Sequence, residues 1–225
     1  ASGGQSRVHP DIPSVPVANA VEQCVRPASQ IVGIGVSTGG PNALKEMLPR
    51  LPEDMGVPIL IVQHMPPMFT RSLAQSLNAA CRMEVLEAED CQVICPNVIY
   101  IAPGDKQMKV VKRPKRSAPM IRITDDPPEN GCRPAVDFLF RSIAQVYGAQ
   151  ATGVVMTGMG SDGKLGMKLM KRHGAATIAQ GKSSCVVYGM PREVIDAGIV
   201  DVVAPLETMA QAISRTVQQG KAVPV

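Results

Sequence analysis

Three short segments carry residues able to act together on a carbonyl group: Ser37, His64 and Asp162. Ser37 sits in Gly33-Ile-Gly-Val-Ser-Thr-Gly-Gly-Pro41, where an apolar run ends in a Gly-wrapped serine and a proline opens a helix. Glycine permits the tight turn and close backbone approach. The helix N-terminus offers free N–H groups and a positive dipole end to a developing oxyanion. The same features suit a phosphate-cradling turn or a merely tight strand-to-helix connection, so this segment alone does not make Ser37 a nucleophile. Nucleotide readings fit poorly, however. Gly33, Gly35 and Gly39 are spaced G-x-G-x-x-x-G, one residue longer than the dinucleotide fingerprint. The next apolar run ends in Gln63-His64 instead of the acidic residue a ribose needs, and no G-K-[ST] follows to make a P-loop.

His64 follows VPILIVQ, at the carboxyl edge of an expected strand. Histidine is the usual general base near neutrality, although a strand-end histidine ordinarily satisfies only local hydrogen bonds. His9 lies in the N-terminal stretch, and His173 precedes Gly174 at a helix end, where it serves the last carbonyls and the dipole. If there is a base, it is His64. The third segment, Val154-Val-Met-Thr-Gly-Met-Gly-Ser-Asp-Gly163, again reads strand, Gly turn, helix. Asp162 there either orients His64 and stabilises its imidazolium or caps the following helix, as Ser161 also can. Backbone N–H groups of Thr157 to Gly160 are candidates for further oxyanion donors. Three strand-end motifs, each bringing one triad member, weigh far more together than singly. Their order Ser, His, Asp differs from the Ser, Asp, His of α/β-hydrolases.

The elements that must position these residues follow from periodicity. Strands are expected at 30–36, 57–63, 85–86, 98–102, 152–156, 175–179 and 199–203, with helices after Pro41 and at 68–78, 135–147, 164–173 and 207–217, and a further stretch at 192–196. In 135–147 the residues Val136, Leu139, Phe140, Ile143 and Val146 share one helical face. The stretches 109–112 and 120–124 flank a basic, Pro-containing turn and suggest a projecting β-hairpin. Apolar strands alternating with helices imply an α/β fold: a doubly wound, mostly parallel sheet with helices on both faces, a three-layer sandwich. Ligands in such folds lie outside the carboxyl ends of the strands, which is where all three motifs fall.

Composition bounds the alternatives. The chain has 225 residues, 45% of them hydrophobic, enough for one medium domain with a sizeable core plus a tail. Aromatics are 3% with no Trp, which leaves little base-stacking surface, and a net charge of +4 is far from a basic nucleic-acid footprint. Lys109, Lys112, Arg113, Lys115 and Arg116 form the one basic cluster, read as a solvated hairpin in preference to a patch that docks on an acidic receptor surface. Cys24, Cys81, Cys91, Cys95, Cys132 and Cys185 show no C-x-x-C pair or zinc-type spacing. Reduced thiols are expected, with no cysteine-based metal site. No apolar run approaches the ~20 residues that span a bilayer, so no membrane insertion and a cytoplasmic location are expected. Residues 1–28, rich in Pro, Ser, Gly, Ala and Val, read as a flexible linker or tail before a domain at 29–220.

GVSTGGPNAL, QHMPPMFTRSLAQSLN, EAED, YIAPGD, RPAVDFLF, TGMGSDG and VVYGMPREV, in this order, resemble the catalytic domain of the chemotaxis receptor methylesterases (the CheB family) over residues 29 to about 215. The resemblance implies hydrolysis of glutamyl methyl esters, and deamidation of certain glutamines, on the cytoplasmic domains of methyl-accepting chemoreceptors for chemotactic adaptation. It implies Ser37 as nucleophile, His64 as base and Asp162 as its partner, without a cofactor. Thr38, Met159 and Gly160 fall at the oxyanion or cleft positions. Tyr188, Gly189 and Met190 resemble a loop near the cleft, though a Gly-Met-Pro helix start with only a packing role reads equally well. The family joins this domain to an N-terminal receiver, phosphorylated by a sensor kinase, which is absent from this chain; residues 1–28 resemble the joining linker. Three positions depart from the family pattern: Cys91 and Asn97 stand where glycine is expected, and Gln107 replaces a histidine. They put loop shape in question, not the triad.

Overall fold

Strand β1 (Ile31–Val36) is buried along its whole length, as a central strand covered on both faces must be. The structure, a computed structural model, describes residues 26–112 and 118–218. Beside β1 lie β2 (Ile59–Gln63) and β7 (Ala151–Val155). The sheet runs outward through β4 (Val98–Ile101) to β3 (Glu84–Glu87), and through β8 (Ala176–Gln180) to β9 (Val202–Ala204). Every pairing among these strands is parallel. Helices α1 (Gly40–Met47), α2 (Pro67–Asn78) and α6 (Leu206–Gln218) cover one face, burying Leu44, Met47, Leu73, Leu77, Met209 and Ile213 with Val32, Ile34 and Val36. Helices α3 (Val136–Tyr147), α4 (Lys164–Arg172) and α5 (Met190–Asp196) cover the other with Phe140, Ile143, Met167, Met170 and Val194. This is the three-layer, doubly wound arrangement the alternation of elements implies.

The two glycines inside β1 have a packing reason. A Cβ on Gly33 would stand 2.7 Å from Ile143 Cδ1, and one on Gly35 would stand 2.3 Å from Val136 Cγ1. Their absence lets α3 press against the sheet, closer than any side chain would permit. The hairpin of β5 (Gln107–Val111) and β6 (Met120–Thr124) is anchored at its base on the same face. Met108, Val110 and Ile121 are buried there, and the Val110 N–H donates to Ser142 Oγ of α3 (2.9 Å). Of its basic residues, Lys109 pairs with Asp126 (3.3 Å) and lies over the Phe138 ring. Arg113, Lys115 and Arg116 lie outside the described residues.

Several boundaries differ from the sequence expectation for identifiable reasons. The strand expected from 57 begins at Ile59, because Pro58 has no N–H for the ladder and contributes only its carbonyl, to Val32 N (3.1 Å). The strand expected at 199–203 starts at Val202, because Asp201 turns its side chain back to β8. Its carboxylate accepts from Thr177 N and Oγ1 (2.9 Å each) and pairs with Arg26 and Lys171. Arg26 therefore already belongs to the packed domain, ahead of the expected start at 29. The rest of the expected linker, residues 1–25, lies outside the described residues, as do residues 219 and 220 at the other end.

Candidate active site at the carboxyl ends of β1, β2 and β7

Register brings the chemistry together. Val36 pairs with Gln63 and Gly35 with Val155, so one step further Ser37 lies between His64 and Thr157 on neighbouring strands, about 5 Å apart. Main-chain bonds hold both sides: Ser37 N donates to Thr157 O (2.9 Å), and His64 N to Val36 O (3.1 Å). The loop after β1 feeds α1 on one face, whereas the loop after β7 feeds α4 on the other. The crevice between those diverging loops is the switch point where doubly wound folds place their ligands.

Asp162 is drawn into this crevice with its carboxylate saturated. Oδ2 accepts from His64 Nε2 (2.8 Å) and Val136 N (2.7 Å). Oδ1 accepts from Asp137 N, Gly163 N and Asn130 Nδ2, each at 3.0 Å. The capping role open to Asp162 is thus realised on the first turn of α3, not on the helix that follows it in sequence. Both roles coexist in one carboxylate. Burial would raise its pKa, but the bonds from His64, Val136 and Asp137 outweigh burial and hold it below the ordinary carboxylate range. With Nε2–H given to Asp162, the neutral imidazole presents its lone pair on Nδ1. Such a ring can take a proton at Nδ1 while the carboxylate stabilises the resulting cation.

Donors for an oxyanion are at hand. The N–H groups of Thr38, Met159 and Gly160 donate to no partner among the described residues. Gly158 approaches Ser37 so closely that a Cβ there would meet Ser37 Cβ at 2.7 Å. The 188–190 segment clamps this turn through its main chain. Gly189 N and Met190 N both donate to Gly158 O (3.0 and 2.9 Å), and a Cβ on Gly189 would sit 2.7 Å from that oxygen. Met190 is fully buried at the start of α5 and Tyr188 is half-buried beside Gly158. The segment therefore touches the cleft loop, Gly189 and Met190 through main-chain hydrogen bonds as well as close packing.

Four residues near the site drew no role from the sequence. Gln63 is buried, and its Nε2 donates to both Ser37 O and His64 O (3.0 Å each), tying the two strand ends together. Its signal was a polar residue closing an otherwise apolar run. Asn130 reaches Asp162 and also the buried Asp137 (2.9 Å) from a left-handed backbone position. Gln107 holds the adjoining loop, donating to Pro127 O (3.1 Å) and accepting from Ala135 N (2.9 Å). Cys132 Sγ lies 3.7 Å from His64 Nδ1. Burial, and then the charge of Asp162, pushes that thiol above its ordinary range. Nothing in the spacing of Asn130 and Cys132 from His64 announced either contact. A cleft of about 480 Å³ opens between His64–Pro67, Asp105 and Gly131–Pro134, with Ser37 beyond its lining.

Compared with known proteins, residues 32–213 match the family model described as CheB methylesterase. A protein-glutamate methylesterase/protein-glutamine glutaminase of Desulfotalea psychrophila is 56% identical over 190 residues, covering 84% of this chain and 52% of that protein. One of the same name from Halalkalibacterium halodurans is 43% identical over 216 residues, 96% of this chain and 62% of that protein. The crystal structure of the Thermotoga maritima CheB methylesterase catalytic domain superposes with a TM-score of 0.81 at 39% identity, covering 84% of this chain and 98% of that one. The chain thus spans little more than half the length of these curated relatives and nearly all of the solved domain.

Proposed function

The chain belongs to the CheB methylesterase family, and from that premise we propose that it hydrolyses glutamyl methyl esters, and deamidates selected glutamines, on the cytoplasmic domains of chemoreceptors. The observation that carries this reading is the 2.8 Å His64–Asp162 pair at the strand end next to Ser37. Ser37 Oγ attacks the side-chain carbonyl while His64 Nδ1 takes its proton, and Asp162 stabilises the imidazolium. The oxyanion lies among the free N–H groups of Thr38, Met159 and Gly160, where fixed dipoles act without reorganising. His64 returns the proton to the leaving methoxide, or to the amide nitrogen of a glutamine, which departs as ammonia. A water activated by the same nitrogen then releases the glutamate. The receptor is the substrate in this proposal, and a receiver domain with its sensor kinase is the regulator. A cytoplasmic location belongs to the same proposal; among the described residues no helix is long and apolar enough to cross a membrane.

The test is methanol release from methylated receptor membranes, with ammonia release from receptors carrying glutamine as the companion assay. Ser37→Ala is expected to lower kcat on the order of 10⁶-fold. Equal rates for the two proteins would sink the triad. A folded chain that releases neither product would point to a different ester or to a binding role.

A further inference from the structure

We propose that His64 Nδ1 and Cys132 Sγ form a binding site for a thiophilic divalent cation of the zinc class, and that its occupancy switches hydrolysis off. The two atoms are 3.7 Å apart. A tetrahedral zinc with Zn–N near 2.0–2.1 Å and Zn–S near 2.3 Å sets its ligands about 3.6 Å apart, so the pair fits the ion with almost no movement. The two residues stand 68 positions apart in the chain, on the end of β2 and on the loop before α3, which is why no ligand spacing shows in the sequence.

The surroundings are those of a metal-binding histidine. Asp162 accepts the opposite ring N–H at 2.8 Å, which fixes the tautomer and ring orientation with the lone pair on Nδ1, as second-layer carboxylates do behind zinc-bound imidazoles. Its oxygens are already engaged with Val136, Asp137, Gly163 and Asn130, so it serves as that support and not as a direct ligand. His64, Cys132 and Asp162 place potential ligand atoms within 4.8 Å of one another. The cleft that His64 and Cys132 both line has room for the waters completing the shell. The loop bearing Cys132 is fixed by reciprocal main-chain bonds with Glu129 (2.8 and 3.0 Å), so the thiol is held in place before any ion arrives. As the sulfur–metal bond forms, the thiol proton leaves to solvent, a dication being able to deprotonate a coordinating thiol outright.

Inhibition follows from which lone pair the ion takes. Asp162 leaves only Nδ1 to act as base, and an ion bridging Nδ1 and Cys132 occupies that nitrogen. This inhibitory half rests on the esterase reading; the binding half does not. Cobalt(II) is the probe for binding. The chain should develop a thiolate-to-cobalt charge-transfer band that zinc displaces, and Cys132→Ser and Cys132→Ala should both lack it, whereas Cys91→Ser/Cys95→Ser should keep it. No band in the unaltered chain, or a band surviving in both Cys132 variants, overturns the site. For inhibition, methanol release with zinc is compared with release after chelation, within each protein. The unaltered chain should lose at least tenfold and recover on chelation, and the Cys132 variants should change less than twofold. A band without that loss overturns the switch. Absence of methanol release under all conditions identifies failure of the esterase reading, while the cobalt band still decides the site.

Discussion

Asp162 is asked to do two jobs with one carboxylate: orient His64 and cap α3. Asp162→Asn keeps the size but sets an amide N–H against either the imidazole or a main-chain donor. It should lower kcat by about 10⁴-fold and cost about 1–3 kcal/mol of stability, read from esterase kinetics and urea unfolding of the same preparation. The pH dependence has a fixed sign. A carboxyl held below its ordinary range contributes its stability above that range and loses it as pH falls through the depressed value. The acid limb of the unfolding free energy should therefore be shallower in Asp162→Asn than in the parent chain. The departures from glycine also resolve residue by residue. Cys91 and Asn97 both keep a left-handed backbone, φ 62° and 61°. Asn97 holds it with bonds to Gly56 N (2.6 Å) and Asp54 Oδ1 (2.9 Å). The exposed Cys91 side chain has only a weak contact with Asp90 (3.4 Å). Cys91→Gly should raise stability by about 0.5–1 kcal/mol, whereas Asn97→Gly should not, as thermal unfolding would show.

Among the elements, the packing of α3 on β1 links the core to the chemistry. Val136 touches the space over Gly35 with its side chain and Asp162 with its N–H. Gly35→Ala should thus cost about 1–3 kcal/mol through overpacking and also lower kcat, because the first turn of α3 shifts with its carboxylate partner. Val136→Ala in the same chain should recover part of both losses. Simple addition of the two single effects in a double-mutant cycle would disprove the coupling. The hairpin shows the same economy: its base packs on α3 while Gln107 at its start secures the loop toward Ala135. The substituted position 107 is therefore a structural bond next to the site.

The whole molecule is held by contacts that cross the sheet's ends. Asp201 gathers Arg26 from the leading segment, Lys171 from α4 and Thr177 from β8. Burial would raise its pKa, yet those partners together hold it far below the ordinary carboxylate range. Its contribution is present above that range and fades as the solution is acidified. Asp201→Asn should lower stability by about 1–2 kcal/mol at neutral pH, with the difference from the parent narrowing in acid, measured by urea titrations across pH. The crevice proposed as the active site owes its place to the same scale. Only the doubly wound topology makes loops leave β1 and β7 toward opposite faces, opening a gap that Ser37, His64 and Asp162 enter from three separate segments.

Local chemistry is what the sequence alone determined. Apolar runs marked the strands, Val136 to Ile143 marked a one-faced helix, and Gly-wrapped polar residues at strand ends marked Ser37, His64 and Asp162. Each signal depends on neighbours within a few residues, so no fold was needed to read it. Contacts between distant segments were decided by tertiary structure: Asp162 capping α3, Asn130 bridging two aspartates, Gln63 joining two carbonyls, Cys132 against Nδ1. The glycines of β1 mark the boundary. In sequence they read as part of the tight turn around Ser37, but Gly33 and Gly35 serve the approach of a helix more than a hundred residues later. A residue's type fixes what it can bond; only the packed chain fixes which partner comes within 3 Å of it.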